Sequence, residues 1–145
     1  MIRPMLAIVT LAIGATVVLA QQNPIEARKA LMKANSAQAR VGAAMAKGEA
    51  PFDLAKAKAI FATYEQAAAK FGDLFPANSK TGGETTAAPK IWDDMAGFKA
   101  KLVKFGADAK AAGTAVKDLD SFKAQFGEVA KNCGGCHRDY RIRRS

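Results

Sequence analysis

"LDSFKAQFGEVAKNCGGCHRDY", Leu119 to Tyr140, decides how the rest of the chain is read. Leu119, Phe122, Phe126, Val129, Cys133, Cys136 and Tyr140 recur in steps of three and four, which sets one apolar stripe along one side of a helix. The stretch holds both cysteines of the chain and its only histidine. Cys133 and Cys136 stand three residues apart, so both thiols project from the stripe and toward the core. His137 is four residues from Cys133, and its ring points to nearly the same side.

Three further stretches carry the same period. The first runs from about Pro24 to Lys47, with Asn23 as cap, Pro24 in the first turn and Gly48 as the stop. The second follows Pro51-Phe52-Asp53, with Asp53 as cap and Leu54, Ala57, Phe61, Tyr64, Ala68 and Phe71 on one side. The third carries Ile91, Met95, Phe98, Leu102, Phe105 and Ala109 and ends near Gly113. Between the second and third lies Gly72 to Lys90, rich in turn formers and without helical period. The other connections are a few residues long. The fold expected is all-α: an antiparallel four-helix bundle with one long connection between helices two and three.

The first twenty residues read differently. Met1-Ile2-Arg3-Pro4 is a short basic start, and Met5 to Ala20 is an apolar run ending in Val18-Leu19-Ala20, the layout of a cleaved secretory signal. The run is short for a membrane span and no basic stop-transfer flank follows it, which weighs against the alternative of an uncleaved anchor. Residues 21–145 then form one domain, long enough for a real core. Loss of Arg3 reduces the net charge from +9 to +8, a bias toward acidic partners rather than a statement about fold. An exported chain with so few aromatics is a poor match to nucleic acid.

Several chemistries compete for the cysteine pair. Export favours a disulfide, but within a regular helix it would close a tiny loop of little stabilising value. Zinc wants four ligands, and no further cysteine or histidine exists to complete an N/S site. A thioredoxin-like dithiol opens a helix after a strand, and no strand is expected here. The reading that remains is Cys-x-x-Cys-His, the attachment signal for c-type haem, with two thiols on the porphyrin vinyl groups and the adjacent imidazole on the iron. His137, as the sole histidine, is the expected proximal ligand. The four stripes supply the apolar slot, and a porphyrin would fill the volume that an alanine-rich bundle leaves open.

The chain resembles the class II c-type cytochromes, the cytochrome c′ group, in which this motif sits at the C-terminal end of a four-helix bundle. The likeness is carried by "ARKALMKAN" (27–35), "KGEAPFD" (47–53), "FPANSKTGGET" (75–85), "PKIW" (89–92) and "CGGCHRDYR" (133–141). It implies a bacterial periplasmic protein with one haem c, often a homodimer formed through the first two helices and not membrane-embedded. It also implies that Arg28, Lys29 and Glu84 lie beside the haem edge or its propionates, and that Arg141 lies near the proximal face.

Met32 matches the distal position of that family. In a low-spin branch a methionine of the first helix is the sixth iron ligand; in five-coordinate members a bulky residue only blocks the pocket. Met45 and Met95 read as core filler. With Met32 on the iron, the expected function is one-electron transfer to acidic redox partners steered by the basic C-terminal tail. The alternative is an open sixth site for nitric oxide or carbon monoxide. Enzymatic turnover of an organic substrate is not expected: no Ser/His/Asp set exists, and Gly82-Gly83 satisfies no phosphate-loop pattern.

Overall fold

Asn23 opens the first helix by accepting a hydrogen bond from the Ile25 N–H at 2.9 Å, with Pro24 already in helical geometry behind it. α1 then runs Pro24–Lys47 and stops at Gly48, whose φ of 77° is left-handed and costs glycine nothing. The computed structural model describes residues 23–142, so the expected signal segment lies outside the described residues. α2, Leu54–Phe71, begins at Asp53, which accepts from the Lys56 N–H at 3.0 Å. The long connection follows, with two short 3-10 turns at Gly72–Leu74 and Ala77–Ser79.

The third predicted helix is divided. A single turn, α3, spans Lys90–Asp93, and α4 spans Met95–Ala115. Asp94 separates them with φ −132° and ψ 55°, because its carboxylate leaves the helical path to accept the Gly97 N–H at 3.0 Å. The stripe Ile91-Met95-Phe98 crosses this break without losing its spacing, which is why periodicity alone reads it as one helix. α4 also continues two residues past Gly113. α5, Leu119–Tyr140, starts in a capping box in which the Asp118 carboxylate accepts the Ser121 N–H at 2.8 Å.

α1, α2, α4 and α5 form the expected four-helix bundle; α2 packs mainly on α4, α4 on α5, and α1 on α2. Two apolar clusters hold it. One joins Met45, Ile60, Phe61, Phe105, Phe122 and Val129; the other joins Phe75, Ile91, Phe98, Leu102 and Tyr140. Phe61 and Phe122 meet at 5.9 Å between ring centroids, and Phe75 and Phe98 at 4.8 Å edge to face. Leu54, expected on the α2 stripe, is instead 37% exposed at the first turn. Gly42 is buried where α1 crosses α5: a Cβ there would fall 2.7 Å from Phe126 Cζ.

The chain beyond α5 turns back onto the long connection. Ala88 N–H donates to Tyr140 O at 3.0 Å and Ile142 N–H donates to Thr86 O at 2.8 Å, an isolated antiparallel bridge centred on Ala87 and Arg141. No helix among the described residues is long and apolar enough to cross a membrane.

Candidate functional site

The bundle is not filled throughout. A cavity of about 560 Å³ lies among α1, α2, the long connection, α4 and α5, within the range of roughly 300–1,000 Å³ common to small-molecule and cofactor sites. Its walls are mostly apolar, with Tyr64, Phe71, Phe75, Phe98 and Phe105 among them. Cys133, Cys136 and His137 all line it from α5, as their steps of three and one on a helix require. Met32 lines it from α1 and is half-buried.

Both cysteines are free thiols; Cys133 is exposed to the cavity and Cys136 half-buried against the second cluster. The stripe therefore turns the thiols into an open slot, not into packed core. Burial pushes both thiols above the ordinary cysteine range, with Lys101 opposing the rise at Cys136. Burial likewise pulls the His137 imidazole below its usual value, and the Arg141 guanidinium pulls it further. The ring is thus biased toward the neutral form, the form in which imidazole binds a metal.

Arg28 lines the cavity but is only 4% exposed. Its Nη1 donates to Leu74 O at 3.1 Å and Ser79 Oγ at 3.0 Å, and its Nη2 to Ser79 O at 3.1 Å and Thr85 Oγ1 at 3.3 Å. The guanidinium also lies 4.6 Å from the Phe75 ring centroid. Its partners among the described residues are carbonyls and hydroxyls, and desolvation lowers its pKa from the usual value. Lys29 stands on the exposed rim, paired with Glu26 at 2.9 Å. Glu84 is exposed and is not among the cavity-lining residues; the adjacent Thr85 and Thr86 are. Arg141 lines the cavity beside the bridge to Ala87.

Two features of the site carry no local sequence signal. Tyr140 Oη donates to Asp94 Oδ2 at 2.7 Å, which pushes the phenol up to about 12 and holds the Asp94 carboxyl below the usual carboxylate range. Trp92 Nε1 donates to Phe75 O at 3.0 Å and secures the connection from the other side. Periodicity marks Tyr140 as inward-facing, but a partner forty-six positions away is set by tertiary packing.

The residues fit a c-type haem. Two thiols, one imidazole and a thioether converge on one apolar cavity of suitable size. A family model described as cytochrome c′ matches residues 23–141. Cytochrome c′ of Rhodopseudomonas palustris is 43% identical over 133 residues, spanning 92% of this chain and 91% of the relative. Cytochrome c-556 of the same organism is 32% identical over 145 residues, spanning 97% of both. The solved cytochrome c′ of Rhodopseudomonas palustris superposes with a TM-score of 0.83 at 44% identity, covering 86% of this chain and all of that one. A nitric oxide complex of a mutant cytochrome c prime from Alcaligenes xylosoxidans superposes at 0.72 with 29% identity, covering 83% of this chain and 94% of that one. On this match of sequence, fold and cavity, the chain belongs to the cytochrome c′ family of class II c-type cytochromes, which bind one covalently attached haem c.

Proposed function

We propose that the protein carries single electrons in the bacterial periplasm, with haem c joined by thioethers to Cys133 and Cys136, His137 as proximal ligand and Met32 as sixth ligand. The observation that carries this reading is that Met32 on α1 and His137 on α5 line one cavity. When bound, the haem supplies the one-electron iron couple. Cys133 and Cys136 fix its position, and the neutral-leaning His137 offers a nitrogen lone pair. Met32 offers a thioether sulfur, a ligand that raises the reduction potential and keeps the coordination sphere the same in both oxidation states. The apolar walls exclude water from it.

Lys29, Lys33 and Arg141 stand at the cavity wall and are exposed, a basic rim suited to an acidic redox partner. Residues 1–20 serve as the cleaved signal that exports the domain, residues 21–145. Pairing through α1 and α2 would cover Val41, 42% exposed, and Leu54, 37% exposed, in a homodimer. The protein turns over no organic substrate, since its one histidine is committed to iron.

A second reading is favoured by the nitric oxide complex of the Alcaligenes xylosoxidans relative. In it Met32 only crowds an open sixth site, and the protein binds nitric oxide or carbon monoxide. Optical spectra of the ferrous protein with and without carbon monoxide separate the two. Electron transfer through Met32 ligation predicts a low-spin spectrum unmoved by the gas, and a Met32→Ala variant that turns high-spin. Rapid carbonyl formation by the wild type, or an unchanged spin state in the variant, favours the gas-binding reading.

A further inference from the structure

The chain has two tyrosines, and their hydroxyls fare differently. Tyr140 donates to Asp94. Tyr64 on α2 is only 3% exposed and lines the cavity, yet no group among the described residues hydrogen-bonds its hydroxyl. The oxygen itself keeps some accessible surface, and the cavity is the space it opens onto. Its ring packs on Phe105 at 5.6 Å between centroids, a contact that phenylalanine would make equally well. A phenol in this wall therefore costs desolvation and returns nothing, unless something in the cavity bonds to it. Burial pushes its pKa up and the Cys133 thiol pushes it further, so the hydroxyl keeps its proton and is a donor. α2 packs on α1 and α4, and α5 packs on α4 and α1, so α2 stands across the cavity from α5. Tyr64 thus faces the segment of Cys133 and His137 from the opposite wall.

We propose that the Tyr64 hydroxyl donates a hydrogen bond to a small ligand held in the cavity opposite His137, and so selects molecules that end in a lone pair. Such a ligand is diatomic or little larger, because the porphyrin takes most of the space. A molecule ending in oxygen or nitrogen gains the bond, and an apolar one of equal size leaves the phenol unmet. The inference rests on the haem reading and deepens the gas-binding one, by naming the residue that would discriminate among ligands. It holds whether Met32 leaves the iron for the ligand or only crowds the site.

The test is the infrared spectrum of the ferrous carbon monoxide complex of haem-loaded Met32→Ala and of Met32→Ala/Tyr64→Phe. Removing the Met32 side chain opens the site under either reading of that residue. A donor at the ligand's oxygen lowers the C–O stretch, so the expected result is a higher stretch in the phenylalanine variant. Heavy water should move the band only where Tyr64 is present, and carbon monoxide should leave the phenylalanine variant about two- to tenfold faster. Identical bands in the two variants, or a heavy-water shift that survives phenylalanine, overturn the proposal. Should Met32→Ala not hold haem, the N–O stretch of the nitric oxide complex in wild type and Tyr64→Phe decides by the same criteria. Failure of the wild type to carry haem, read from intact mass before any gas is added, sinks the haem reading and this inference with it. Identical bands in loaded protein sink this inference alone, and carbon monoxide uptake by the wild type judges the gas-binding reading separately.

Discussion

Tyr140 donates to Asp94 at 2.7 Å, which ties the last turn of α5 to the residue that caps α4. The segment that carries Cys133, Cys136 and His137 is thereby fixed against the start of α4. Asp94 does two jobs with one carboxylate, since the Gly97 N–H takes its other oxygen at 3.0 Å.

The pH dependence of that pair follows from its two shifts. Asp94 is held below the usual carboxylate range, so its contribution is present above the unfolded value of ~3.9 and disappears as pH falls through the folded value. Tyr140 is raised to about 12, so its contribution is present below the unfolded value of ~10 and disappears as pH rises toward 12. Tyr140→Phe should be less stable than wild type at neutral pH, with the gap closing at both extremes. Urea unfolding at a series of pH values checks it; a gap that stays constant from acid to alkali refutes the linkage.

Arg28 fastens the long connection to α1 through four hydrogen bonds. Arg28→Ala strips donors from Leu74 O and Ser79 O and should lower the unfolding free energy by about 2–4 kcal/mol. Arg28→Lys should recover little of it, because an ammonium lacks the planar fork that reaches both Ser79 and Thr85. Chemical denaturation of the haem-loaded variants gives both numbers.

Phe122 is fully buried between Phe61 and Phe52. Phe122→Ala should cost about 3–5 kcal/mol through lost burial and the cavity left behind. Val103, 73% exposed on α4, is the control: Val103→Ala should stay within about 0.5 kcal/mol of wild type. Thermal and urea unfolding compare them directly.

Cofactor retention should depend on both thiols. Cys133→Ala and Cys136→Ala singly should each keep haem through one thioether, whereas the double variant should release all of it to acid–acetone extraction. Intact mass before and after extraction provides the measurement. Covalent haem surviving in the double variant would place the attachment elsewhere.

The parts of the fold legible in the sequence are those with local causes. Asn23 with Pro24, Gly48 and Asp53 announce helix ends because each acts within four residues of itself. The Asp94 break escaped the same logic, since the stripe keeps its period while the backbone leaves the helix. The motif in α5 places Cys133, Cys136 and His137 on one cavity because steps of three and one fix their common side. Arg28 was expected beside the haem only through the family resemblance; it lines the cavity, and its partners lie in the long connection, where no period constrains the chain.

The crossing at Gly42 has reach. α1 touches the Phe126 ring there, while ten residues earlier, roughly 15 Å along the helix axis, the cavity parts Met32 from His137. α1 is thus seated on α5 at Gly42 and borders the cavity at Met32. Gly42→Ala should cost about 1–3 kcal/mol in strain despite the better helix propensity of alanine, as unfolding measurements will show. A methyl group at that crossing would push α1 away from α5, and so widen the slot that Met32 lines farther along the same helix, like a shim in a vice.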